Sequence, residues 1–140
     1  MGIRIAAKRL ERLRSKVRRL TRRSGGQAIE EVCQALNPLI RGWVNYFALA
    51  EAKQHMRSLD EWVRRRLRQI VWKQWKRPAN RYRKLRQRGV EEFWAIRTAG
   101  TSKGTWRLSA SPPLHKALGN AYWQTLGLAS FLQSYNLRRT

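Results

Sequence analysis

Between Arg64 and Arg88 the chain carries twelve Lys or Arg residues and no Asp or Glu. A segment this concentrated in positive charge is held against its own repulsion only if something anionic usually lies on it. Ser58-Leu59-Asp60-Glu61 precedes it and matches a capping box, in which a glutamate three residues after a serine reaches back to the serine N–H. The spacing predicts a helix from Ser58, with Leu59, Val63, Leu67, Ile70 and Val71 on its apolar arc and Arg64, Arg65, Arg68 and Lys76 opposite. Trp72 and Trp75 project from the basic side. Packing against another helix is the favoured role for these indoles, and stacking on an RNA base is the sharper alternative.

The whole chain repeats the imbalance. Its 140 residues hold 31 Lys and Arg against eight Asp and Glu, a formal charge of +23, with a pI near 11.8. That speaks to partners rather than to fold, with nucleic acid first and an anionic membrane surface second. Arg outnumbers Lys, which suits planar, bidentate contact with phosphate. The lone cysteine, Cys33, excludes an internal disulfide and fits a reducing compartment, here taken as the cytoplasm. The N-terminus lacks the apolar core of a signal peptide, and no run approaches the roughly 18 apolar residues of a membrane span.

Apolar residues recur at helical spacing almost everywhere. Ala7–Arg23 carries Leu10, Leu13, Val17 and Leu20 as a thin seam on a basic cylinder, ended by Ser24-Gly25-Gly26. Ala28–Leu36 reads as a short second helix, broken by Asn37-Pro38, with Pro38 opening a third. That third segment, PLIRGWVNYFALA, is apolar over most of its circumference and is the expected core, with Gly42 admitting a close neighbour. Past Pro78 a basic segment, Asn80–Arg88, ends at Gly89; Val90–Ala99 is amphipathic and Gly100–Ala110 a loop. Ser111-Pro112-Pro113 starts the last helix, with Gly127 interrupting it. The expected fold class is all-α, a small helical bundle with a basic outer face and an N-terminal basic helix.

Residues for catalysis are scarce. Asp60 is the single aspartate, and it falls within the expected helix start. Glu30-Glu31 and Glu91-Glu92 are sequence neighbours pointing about 100° apart on helices, which does not converge two carboxylates on a metal. His55 and His115 are far apart in sequence, and neither pairs with Cys33 in metal-ligand spacing. There is no phosphate-binding Gly-rich motif. No catalytic residue, metal ligand or cofactor is assigned.

Three blocks together resemble the C-terminal part of bacterial group II intron-encoded proteins, reverse transcriptases that are also splicing maturases. They are LNPLIRGWVNYF from Leu36; Leu59-Asp60-Glu61-Trp62 with Arg64–Arg68 and Trp72–Lys76; and Ser111–His115, Ala117-Leu118, Asn120–Tyr122 and Gly127-Leu128. Ile3-Arg4-Ile5 and the first helix are similar to the tail of the preceding polymerase region. The resemblance implies the maturase, or thumb, domain over residues 27–140, preceded by that tail over 1–26. It implies binding to structured, group II intron-like RNA, whose own atoms do the splicing chemistry. The RNA-facing residues would be Arg64, Arg65, Arg68, Trp72, Lys73, Trp75, Lys76, Arg77, Arg81, Arg83, Lys84, Arg86 and Arg88, with Trp43, Tyr46, Phe47 and Leu118 in the core. The family's paired-aspartate polymerase motif has no counterpart in a chain with one aspartate, which implies a non-catalytic domain. The alternatives are a thumb fragment acting in trans with a separate reverse transcriptase fragment, or a general basic nucleic-acid- or membrane-binding protein.

Overall fold

The structure of the protein is a computed structural model that describes residues 7–22, 26–48 and 51–139. The Ile3-Arg4-Ile5 block, Arg23, the Ser24-Gly25 stop, Leu49 and Ala50 lie outside the described residues. Among those described, regular structure is helical and no strand forms, so the chain is all-α as its periodicity predicts. The helices are α1 (Ala7–Arg22), α2 (Ile29–Phe47), α3 (Lys53–Trp75), α4 (Pro78–Gln87), α5 (Glu92–Ala99), α6 (Thr105–Leu108), α7 (Pro112–Ala117), α8 (Asn120–Thr125) and α9 (Phe131–Arg139). They fall into two compact units, residues 1–63 with 126–140, and residues 64–125; the division lies within α3.

In the first unit, α2 packs against α1 and α9. The expected break at Pro38 is absent, because α2 runs through it as one helix. Proline there removes one backbone bond and costs about 3 kcal/mol. Ile29, Val32, Cys33, Leu36, Ile40, Val44 and Phe47 are buried on both sides of it. At about 1.5–3 kcal/mol for each large apolar side chain, that continuous stripe outweighs the proline. Asn37 caps nothing in its own helix. Its side chain donates to the Gly127 carbonyl at 2.7 Å and accepts from the Ala129 N–H at 2.7 Å, pinning the loop before α9.

The apolar face of α2 is narrower than its composition suggests. Phe47 is buried, Trp43 only half-buried, and Tyr46 stands 64% exposed with the Arg9 guanidinium of α1 over its ring at 5.3 Å. Gly42 faces open space and admits no neighbouring helix. The thin seam of α1 is sufficient for docking: Leu10, Leu13 and Val17 are buried in this unit.

The expected capping box does not form. α3 starts at Lys53, and Ser58, Asp60 and Glu61 lie inside it. Asp60 caps a different helix. Its carboxylate accepts the Phe131 N–H at 2.7 Å, the Leu132 N–H at 3.0 Å and the Ser130 hydroxyl at 2.7 Å, while Ser130 Oγ accepts the Gln133 N–H at 3.1 Å. Three first-turn amides of α9 are thus satisfied, and an anion sits on the positive end of its dipole. Tyr135 and Arg139 complete the docking: the Tyr135 hydroxyl accepts the Ala52 N–H at 3.0 Å, and Arg139 donates to the Ala48 carbonyl at 3.0 Å.

In the second unit, α4, α5 and α7 pack pairwise, and Leu67, Trp72, Leu85, Leu114, Leu118 and Trp123 are buried. The expected loop over Gly100–Ala110 contains the single turn α6. The expected last helix is three, with Leu118 leaving the helical region between α7 and α8. Ser111 stands at the N-cap of α7 with Pro112 next, but its hydroxyl donates back to the Leu108 carbonyl and makes no cap bond.

Two predictions follow from the first unit. Asp60→Ala leaves buried amides unpaired and is expected to cost about 2–4 kcal/mol in urea unfolding, with Asp60→Asn recovering part of it. Burial, and then Glu30, raise the Cys33 thiol to about 11. The buried thiol's contribution to stability is present below the unfolded value of about 8.5 and is lost as pH rises through about 11. The urea midpoint of wild type should fall over that range relative to a Cys33→Ala variant, and native protein should resist iodoacetamide at pH 8.

Candidate nucleic-acid interface

The second unit contains sixteen Lys or Arg residues and two acidic ones, Glu91 and Glu92. With few carboxylates to pair with, several arginines fold onto backbone carbonyls and aromatic rings. Arg68 is the extreme case, at 3% exposed. Its Nε donates to the Ser109 carbonyl at 2.6 Å, and a terminal nitrogen lies 3.4 Å from His115 Nε2. Burial first, then Arg64 and Arg65, lower its pKa to about 10, still leaving it charged at neutral pH. Arg65 donates to the Trp106 carbonyl at 2.9 Å and to Ser109 Oγ at 3.2 Å, and lies 3.9 Å over the Trp106 ring.

Arg81 belongs to the join between α3 and α4. Lys76 follows α3 in the left-handed region, with φ of 58°, and Pro78 opens α4. The turn strands the last carbonyls of α3, and α4 supplies their partners. Arg81 donates to the Trp72 carbonyl at 3.0 and 3.1 Å and lies over the Trp72 ring at 4.5 Å, while Asn80 donates to the Trp75 carbonyl at 3.0 Å. Burial lowers the Arg81 pKa. Arg86 donates to the Val90 carbonyl at 3.0 Å, and Arg83 to Asn80 Oδ1 at 2.6 Å.

Trp72 and Trp75 are core residues. They are 0% and 8% exposed and meet edge to face at 5.9 Å. With Arg68 they share the i, i+4, i+7 face of α3, so this half of the helix is buried on two sides. A buried indole presents no face to a base, which leaves packing as the role of this pair. The wheel went astray by treating Arg68 as an outward marker.

The exposed members of the expected set are Lys73, Lys76, Arg77, Arg83 and Arg86, with Arg64, Lys84 and Arg88 half-buried. Sequence reasoning missed the exposed aromatics. On α5, Ala95, Thr98 and Ala99 face inward, while Phe93, Trp94 and Ile96 are 52–58% exposed. Phe93 and Trp94 meet edge to face at 5.0 Å, with Arg97 over Phe93 at 5.2 Å. The signal was available: the small residues of α5 recur at helical spacing, and its large ones occupy the complementary face.

No group of three His, Cys, Asp or Glu that could hold a metal occurs among the described residues, and no helix among them is long and apolar enough to cross a membrane. The fold and these surfaces define a small all-α protein with a cation-rich helical unit. The family model of the group II intron, maturase-specific domain matches residues 10–89 of the 140, and the chain belongs to that family. No curated protein matches the chain. The matched region is the maturase-specific domain rather than the catalytic palm of the intron-encoded polymerases. It takes in α1 from Leu10 and all of α2 to α4, and with them all thirteen residues expected to face RNA.

Arg68→Gln is expected to behave as a core mutation, leaving the buried Ser109 carbonyl short of its charged donor at a cost of about 2–3 kcal/mol. Thermal unfolding checks it. A variant melting with the parent would return Arg68 to the surface.

Proposed function

We propose that this chain is a non-catalytic RNA-binding domain that assists folding and splicing of structured, group II intron-like RNA. The observation that carries the reading is the set of outward cations on the end of α3 and on α4: Lys73, Lys76, Arg77, Arg83 and Arg86 are exposed in a unit with two carboxylates. Phosphate contact and counterion release supply the affinity. Arg65, Arg68 and Arg81 hold the unit together beneath that surface and act through the fold. Any base stacking falls to the exposed Phe93 and Trp94 rather than to Trp72 and Trp75. Residues 1–26 correspond, in this reading, to the tail of a polymerase region, residues 27–140 to the maturase domain, and the site of action is the cytoplasm. The reading uses no cofactor, because the intron RNA performs the splicing chemistry. Membership in the maturase-specific family also supports a second reading, in which the domain serves as the thumb of a separate reverse transcriptase fragment. Primer extension that rises when the two are mixed selects it.

If roughly six to ten phosphates are contacted, log K against log salt should fall with a slope of magnitude about 5–9 on duplex-like RNA. Filter binding to an intron transcript measures this, and a slope near one would falsify the reading. Exchanging Lys73, Lys76 and Arg77 together for Gln should weaken binding by about an order of magnitude and leave the melting temperature nearly unchanged.

A further inference from the structure

We propose that Arg88 and Lys116 form a preordered receptor for a single phosphodiester group of the bound RNA. The inference rests on the RNA-binding reading and locates one contact within it. Arg88 stands where α4 is closed by paired backbone bonds: the Gly89 N–H donates to the Arg86 carbonyl at 3.1 Å and the Val90 N–H to the Leu85 carbonyl at 3.0 Å. Gly89 makes the closure possible at φ +89°, and the buried Val90 anchors it. The backbone of Arg88 is therefore fixed.

Its side chain is fixed as well. The guanidinium carbon lies 5.4 Å from the centre of the Trp75 ring and 5.0 Å from that of Tyr122. Trp75 is braced by Trp72 and Tyr122 by Trp123, at 5.9 and 4.9 Å. Yet the head group has no hydrogen bond or ion pair among the described residues, and its Nε is fully enclosed without a partner. Arg65, Arg68, Arg81 and Arg86 all end on carbonyls, so the same fold that supplies acceptors to them withholds one here. The nearest acid in sequence with a bonded partner, Glu92, accepts from the Tyr82 hydroxyl at 3.4 Å. With Nε enclosed, what Arg88 offers outward is its pair of terminal amino groups.

A second cation borders the same turn. Lys116 is exposed, and its Cε approaches within 3.9 Å of the position a Cβ would take on Gly89. A guanidinium whose rotamers were settled during folding, with an ammonium beside its turn, matches a tetrahedral oxyanion: two oxygens for the planar fork and a third for the lysine. Because the cation is already ordered, little rotamer freedom is lost on contact.

The test is a salt titration of filter binding to a group II intron transcript, using the full chain, from 50 to 200 mM. Lys116→Gln, on an exposed side chain, should melt with the parent, bind roughly fivefold to tenfold more weakly and lower the slope by about 0.7–0.9, the loss of one phosphate. Arg88→Gln should do the same, and the double variant should lose no more than one phosphate's worth, because both cations serve the same group. An unchanged slope in Lys116→Gln overturns the receptor, and does so even if Arg88→Gln fails to fold. Additive loss of two phosphates overturns the shared site. A wild-type chain that does not bind the transcript overturns the underlying RNA reading instead. Lys116→Gln that floats less with phosphatidylglycerol vesicles but binds RNA as the parent does overturns the assignment in favour of a lipid headgroup.

Discussion

Positive charge without acidic counterweight sets the terms for the second unit. Sixteen cations share 62 residues, and some stand close enough to act on one another, since Arg64 and Arg65 help to lower the pKa of Arg68. Ion pairing is a limited remedy with two glutamates. The unit instead uses groups that every chain has, backbone carbonyls and π faces, as its counter-charges. This explains why arginine rather than lysine occupies the inner positions. A guanidinium can lie flat on a ring and donate along its edge to a carbonyl, and both Arg65 and Arg81 do this. An ammonium cannot make both contacts in one plane.

A charge run can therefore conceal a division of labour. Part of the basic segment is cohesive and part is free, and the difference lies in the acceptors near each residue rather than in residue type. Arg68 and Lys76 share the outward arc expected from the helical wheel, yet one is enclosed by Ser109 and His115 and the other meets solvent.

The fold class, the positions of most helices and the basic character were legible because period and charge are local. α1 and α5 were recovered within a few residues from spacing and glycine, while the segment after Pro78, read only as basic, forms α4. The misreadings have a common origin in tertiary context. Pro38 looked like a break until a buried stripe on either side carried α2 through it. Ser58 and Glu61 looked like a start because a capping box is short, but α3 had already begun at Lys53. Asp60 was rightly taken as structural but for the wrong partner, since the amides it serves lie seventy residues on. Within the candidate site, the identity of the cations was legible and their exposure was not. That depends on Ser109 and Trp106, whose proximity to α3 no local pattern announces.

The first unit is built from two separated stretches, residues 1–63 and 126–140, with the second unit encoded between them. On a ribosome, which releases the chain from its N-terminus, Asp60 leaves the tunnel well before the amides it will cap. The first unit must wait, its carboxylate hydrated and part of its apolar surface uncovered, until Ser130 and α9 emerge. A premature stop after Thr125 would leave α1 to α8 encoded, yet it would strip Asp60 of the amides it caps and the Ala52 N–H of its acceptor.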